Sequence, residues 1–116
     1  MSVVAAYCPD TGDIIYIDFD PQAGSEQSGR RPALVLSPKS YNSKTGLAVV
    51  CPITNQIKGF PFEVALPAGI KATGVVLSDH MKSMSWKARR ASFLCDAQPD
   101  VVDEVKAKFA ALIGLA

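Results

Sequence analysis

The chain has 116 residues, 48% of them hydrophobic and 20% charged, with a net charge of +1 at neutral pH. That balance excludes a disordered polyelectrolyte and leaves room for one domain, residues 1–116, in which folding should bury roughly two thirds of the unfolded surface. The opening "MSVVAAYCPD" has neither a basic start nor a sustained apolar run, and no later stretch is long enough to cross a bilayer, so a cytoplasmic protein that does not engage membranes is expected.

In chain order, "DIIYIDFD" (13–20) sets Ile15, Ile17 and Phe19 against Ile14, Tyr16 and Asp18, the two-residue period of a strand. "PQAGSEQSGR" (21–30) has no apolar residue larger than alanine and predicts a long exposed loop of the kind that carries function. "RPALVLS" resumes the extended chain, with Pro32 tolerable only at a strand start or edge. "PKSYNSKTG" predicts a second polar connection. "LAVVCPIT" (47–54) is apolar on both faces, as a central strand should be, and ends by presenting Thr54, Asn55 and Gln56. "FPFEVAL" and "GVVLSD" predict two more strands around the turn "PAGIKATG", and "MKSMSWKARRASFLC" suits a bent strand or strand pair. In "QPDVVDEVKAKFAALIG" the residues Val101, Val105, Phe109 and Leu112, joined by Val102 and Ile113, fall at helical spacing. Pro99 suits the first turn of that helix and Gly114 its stop. Short strands closed by one terminal helix imply a mainly β fold, a small, strongly curved antiparallel β-barrel.

The charges are segregated. Residues 30–62 hold Arg30, Arg31, Lys39, Lys44 and Lys58 and no acid, and residues 80–95 hold Lys82, Lys87, Arg89 and Arg90 and no acid. This pattern is compatible with one basic face for a polyanion and equally with solvated lysines scattered round a barrel. Glycine-rich phosphate loops, H-E-x-x-H and G-x-S-x-G are absent, and the single histidine, His80, cannot supply a two-histidine acid/base pair. Cys8, Cys51 and Cys95 are odd in number and widely spaced, which favours reduced thiols over a disulfide framework or zinc site. What remains is a loop carboxylate, Glu26, and a guanidinium, Arg31, held where a strand begins, with Thr54 at the end of another strand. If those two strands are neighbours, the three groups can converge on one phosphate, whose oxygens match the planar fork of an arginine. An exposed Glu26–Arg31 ion pair worth at most about 1 kcal/mol fits the same spacing.

The run "GDIIYIDFDPQAGSEQSGRRPALVLSPKSYNSKTGLAVVCPIT", followed by "KGFPFEV", closely resembles the MazF/PemK/Kid family of toxin endoribonucleases over nearly the whole chain, from about Pro9 to Gly114. The resemblance implies a homodimeric SH3-like barrel that cleaves single-stranded RNA at short sequence motifs, with no cofactor and no metal. It also implies a cognate antitoxin whose acidic, apolar tail covers the RNA groove. By motif, Arg31 matches the catalytic arginine, Thr54 the threonine at the scissile phosphate, and Glu26 an acidic loop residue needed for activity. Ser25, Gln27, Arg30, Asn55, Gln56, Lys58, Lys82 and Arg89 match or flank the RNA groove. Two other readings are a toxin of the same fold that inhibits DNA gyrase, as CcdB relatives do, and an RNA-binding module without cleavage. Those relatives end in Trp-Gly-Ile, whereas this chain ends "LIGLA" and has its one tryptophan at Trp86.

Overall fold

The computed structural model describes residues 7–19 and 29–115. Among these, β1 (Asp13–Phe19), β2 (Gly29–Val35), α1 (Lys39–Thr45), β3 (Leu47–Thr54), β4 (Glu63–Ala65) and β5 (Val75–Leu77) lead to a 3-10 turn at Ser78–His80. Then follow β6 (Lys82–Ser85), β7 (Ser92–Asp96) and α2 (Pro99–Leu112). All strand pairs are antiparallel, in the order β4-β5-β3-β2-β1-β7, with β6 also paired to β3. No described helix is long and apolar enough to cross a membrane.

Alternation along β1, β2 and β3 sends apolar side chains to both faces of the sheet, and both faces are covered. On one face Ile14, Leu34, Cys51, Ile53, Val64 and Val76 pack beneath Val101, Val102 and Val105 of α2. On the other, Ile15, Ile17, Phe19, Ala33, Val35 and Val50 pack with Met84 and Trp86. The strand expected to be central is so: β3 pairs with β2 along one edge, and with β6 and then β5 along the other. Pro52, which has no N–H to donate, falls where that second edge changes partner, between Val50 paired to Lys82 and Ile53 paired to Val76.

Four expectations are corrected. The sheet is open, not a closed barrel: among the described residues β4 and β7 end its main strand order unpaired to each other, and β6 branches off with β3 as its one partner. β4 and β5 are three residues each, too short to carry the ladder round to β7, and Lys108 Nζ ties α2 across β4 by donating to the Glu63 carbonyl at 3.1 Å. The second polar connection contains α1, which no apolar period announces. Its organiser is Asn42, wholly buried, whose Nδ2 donates to the carbonyls of Pro9 (2.8 Å) and Ser37 (3.0 Å) and whose Oδ1 accepts from Ser37 Oγ (2.6 Å). Trp86 Nε1 donates to the Asn42 carbonyl at 2.9 Å, so a β6-proximal indole locks the helix from below. β2 begins at Gly29 instead of Arg31, two residues into the predicted loop. α2 buries Val101, Val102 and Val105, but its last turn runs beyond the core, leaving Leu112 and Ile113 exposed. The rest of the predicted loop, 21–28, which holds Ser25, Glu26 and Gln27, lies outside the described residues.

Candidate functional site

The strands carrying Arg31 and Thr54 are neighbours. The paired register runs Val35↔Val50, Leu34↔Cys51, Ala33↔Pro52, and Arg31 and Thr54 each lie two residues beyond its last pair, at the same end of the two strands. Because side chains two apart share a face, Arg31 projects with Ala33 and Val35, and Thr54 with Val50. Lys82, paired with Val50 from the opposite edge of β3, belongs to that face too, and its Nζ stands 5.7 Å from the centroid of the Phe19 ring. A guanidinium, a hydroxyl and an ammonium thus come from three adjacent strands to one side of the sheet.

Beyond Thr54 the chain turns sharply. Thr54 is buried, and its Oγ1 accepts the Gln56 backbone N–H at 3.1 Å. Asn55 Oδ1 accepts the Thr73 hydroxyl at 2.9 Å. Two residues invisible to motif reasoning hold this corner. The carboxylate of Glu63 accepts the backbone N–H groups of Lys58 (3.1 Å) and Gly59 (3.0 Å), folding the loop after Thr54 back over β4. Gly74, at φ +106°, lies so close under the strand end that a Cβ there would meet the Thr54 carbonyl oxygen at 2.1 Å and Asn55 Oδ1 at 2.9 Å. The only sequence signal for Gly74 is an isolated glycine opening a β-rich run, a hint of close backbone approach.

Thr54, Gln56, Lys58, Phe60, Glu63, Leu77, Asp79 and His80 line a cleft of about 180 Å³. It is smaller than a drug-sized pocket, and Phe60 and Ile57 beside it expose more than half their surface. His80, the single histidine, stands in this cleft with Nε2 3.9 Å from Asp79 Oδ1. Arg31 lies on the β2 side of Thr54, outside the cleft lining.

The remaining predicted groove residues are divided between two places. Asn55, Gln56 and Lys58 follow Thr54 and are exposed. Arg30, paired with Asp18 across β1 and β2, projects from the face opposite Arg31, with Nη1 3.0 Å from Asp18 Oδ1 and Nη2 3.0 Å from Ser92 Oγ. Arg89 is beside it: its Nη1 donates to the Asp18 carbonyl at 3.1 Å while its own carbonyl accepts the Asp18 N–H at 2.9 Å. Arg90, not singled out from sequence, completes this group with Nε at 2.7 Å from Asp18 Oδ2 and Nη2 at 3.3 Å from Oδ1. Hydrogen bonds first from Arg90 and then from Arg30 hold the Asp18 carboxyl below its ordinary range. Cys51 has no such chemistry: burial pushes its thiol up to about 12, so it stays protonated and inert.

An open antiparallel sheet covered on one face by a C-terminal helix defines a small, mainly β protein. The family model for "PemK-like, MazF-like toxin of type II toxin-antitoxin system" matches residues 10–113. The chain belongs to that family. It is 50% identical over 112 residues to the endoribonuclease toxin MazF of Escherichia coli K12, covering 97% of this chain and 100% of that one. Its fold superposes on MazF from Deinococcus radiodurans with a TM-score of 0.90 at 53% identity, covering 94% and 99% of the two chains. A MazE-MazF complex from the same organism matches with a TM-score of 0.85 at 48% identity, over 96% and 100%.

Proposed function

We propose that this chain is an endoribonuclease toxin that cleaves single-stranded RNA at short sequence motifs, as a cytoplasmic homodimer held in check by a cognate antitoxin with an acidic, apolar tail. The observation that carries the reading is that β2 and β3 are paired neighbours, with Arg31 and Thr54 each two residues past the last pair at the same end of their ladder and Lys82 paired to β3 from its other edge. Family membership, the activity in the name of the E. coli relative and the MazE-bound state of the D. radiodurans relative support it.

The chemistry follows from the donors. The 2′-hydroxyl of the RNA attacks the adjacent phosphorus and the 5′-oxygen of the next nucleotide leaves, giving a 2′,3′-cyclic phosphate and a 5′-hydroxyl end. An internal nucleophile needs no metal-activated water. Charge growing on the phosphoryl oxygens is met by the Arg31 fork and the Thr54 hydroxyl, and losing one such donor costs about 3 kcal/mol, on the order of 100- to 1000-fold in rate. Arginine is always protonated near neutrality, so Arg31 acts as an electrostatic group. Glu26, from the loop before β2, is the candidate general base on the ordinary pKa of a carboxylate. Asn55, Gln56, Lys58 and the 25–27 segment hold the flanking nucleotides, whose splayed bases are read on their edges.

The test is to incubate the purified protein with single-stranded RNA and a chelator and to analyse the ends formed. Cyclic-phosphate and 5′-hydroxyl ends are expected, with Arg31→Ala folded and dimeric but at least about 100-fold slower. Loss of cleavage on chelation refutes the metal-free chemistry, and undiminished turnover by Arg31→Ala removes that residue from catalysis.

A further inference from the structure

His80 has no part in the chemistry above, yet it lines the cleft into which that chemistry must admit a polyanion. Asp79 and His80, the last two residues of the 3-10 turn, line the Thr54 cleft of about 180 Å³ and also a second hollow of about 330 Å³ that they share with Met81 and Lys82. The pair is common to both hollows. Among their described lining residues, Lys58 and Lys82 match Glu63 and Asp79 in charge. His80 then decides the sign of that lining: a neutral imidazole leaves it without net charge, and an imidazolium makes it positive.

The surroundings do not offset this change. β3 and α2 pack on the turn, and β3 carries no charged residue. From α2, Lys108 reaches this side by donating to the Glu63 carbonyl, and it is ion-paired with Glu104 at 3.4 Å, so those two cancel. The Glu63 carboxylate is occupied by the Lys58 and Gly59 N–H groups. Asp79 is the carboxylate beside the ring, with Oδ1 3.9 Å from Nε2, beyond the reach of a hydrogen bond. The His80 side chain is 35% exposed, so the ring can take a proton from solvent and present it to a ligand. Histidine is the side chain whose ordinary titration falls between about pH 5 and pH 8.

We propose that His80 is an RNA-binding residue that takes a backbone phosphate as the imidazolium, so that substrate binding is coupled to the uptake of one proton at this ring. The inference rests on the endoribonuclease reading, and RNA is the occupant because Thr54, the hydroxyl donor of that reading, lines the same cleft. While His80 is neutral, Asp79 repels a phosphate there. The imidazolium offsets that carboxylate and donates a charge-assisted hydrogen bond to the phosphate oxygen. The coupling is reciprocal: a proton that tightens RNA binding is held more tightly by the same factor once RNA is bound.

The chain has a single histidine, so its ring can be followed without substitution. Untagged protein is titrated by NMR, alone and with single-stranded RNA that carries 2′-O-methyl groups in place of its 2′-hydroxyls and has unphosphorylated ends. Such RNA binds without reacting and has no terminal phosphate to titrate. The imidazole midpoint should rise by about one pH unit when RNA binds, and Kd should weaken about tenfold between about pH 5 and pH 8.5. His80→Gln should bind throughout with the wild type's high-pH affinity, and His80→Lys with its low-pH affinity. The slope of log affinity against log salt should be steeper by about 0.7 for His80→Lys than for His80→Gln, the value for one single-strand phosphate contact. No binding at any pH, or a midpoint that RNA does not move, overturns the proposal. So does a His80→Gln variant that keeps the wild-type pH dependence, or a linkage seen with an acidic peptide and not with RNA. If unmodified RNA is cut at no pH, the nuclease reading fails, while the binding titration still decides the role of His80.

Discussion

Gly74→Ala tests whether the end of β3 is held in place from beneath. The added methyl would lie 2.1 Å from the Thr54 carbonyl oxygen and 2.8 Å from its carbon, both backbone atoms that cannot rotate away. At φ +106° an L-residue is in addition strained by about 1–2 kcal/mol. Relieving an overpacked contact of this kind adds about 1–3 kcal/mol, so the fold should lose roughly 2–5 kcal/mol. At about 4 °C per kcal/mol for a domain of this size, the melting midpoint should fall by about 8–20 °C. Activity should fall further than stability accounts for, because the strand end that moves carries Thr54, and a displacement of about 1 Å at a reacting group can cost on the order of 100-fold. Thermal melts followed by circular dichroism, with RNA cleavage measured well below both midpoints, separate the two effects. A variant that melts within a degree or two of the wild type and cleaves RNA at full rate refutes the close-approach argument.

Two further outcomes follow from the same geometry. Asn42→Ala deletes three buried side-chain hydrogen bonds, of 2.6, 2.8 and 3.0 Å. At about 1 kcal/mol each the loss should be about 3 kcal/mol, read in urea as a lower midpoint with an unchanged slope; a midpoint equal to wild type would show that α1 is held otherwise. For Asp18, a carboxyl held below its ordinary value by Arg90 and Arg30 stabilises the folded state above its unfolded pKa of about 3.9. That contribution disappears as acid drives the pH down through the lower folded value. NMR titration should therefore show an Asp18 midpoint below the normal aspartate range that climbs in Arg90→Ala; an unmoved midpoint would mean that the ion pair does not persist in solution.

The period-two runs in 13–19 and 47–54 and the helical spacing of 99–112 were legible because one-dimensional alternation is set by which face of a strand or helix must leave water. The family motif named Arg31 and Thr54 by the same local logic, for each closes or opens an apolar run. α1 was not legible, since nothing in "KSYNSKT" is periodic and the helix depends on Asn42 bonding to Pro9, thirty-three residues earlier. Nor could sequence tell that Arg30 finds Asp18 and Ser92 on one face of the sheet while the adjacent Arg31 belongs to the other. Local residue order determined the elements and the chemical character of their ends. Register, openness of the sheet and the contacts made by Glu63, Gly74 and Arg90 were decided only in three dimensions, because each depends on hydrogen bonds or steric contacts between segments that no short window of sequence contains together.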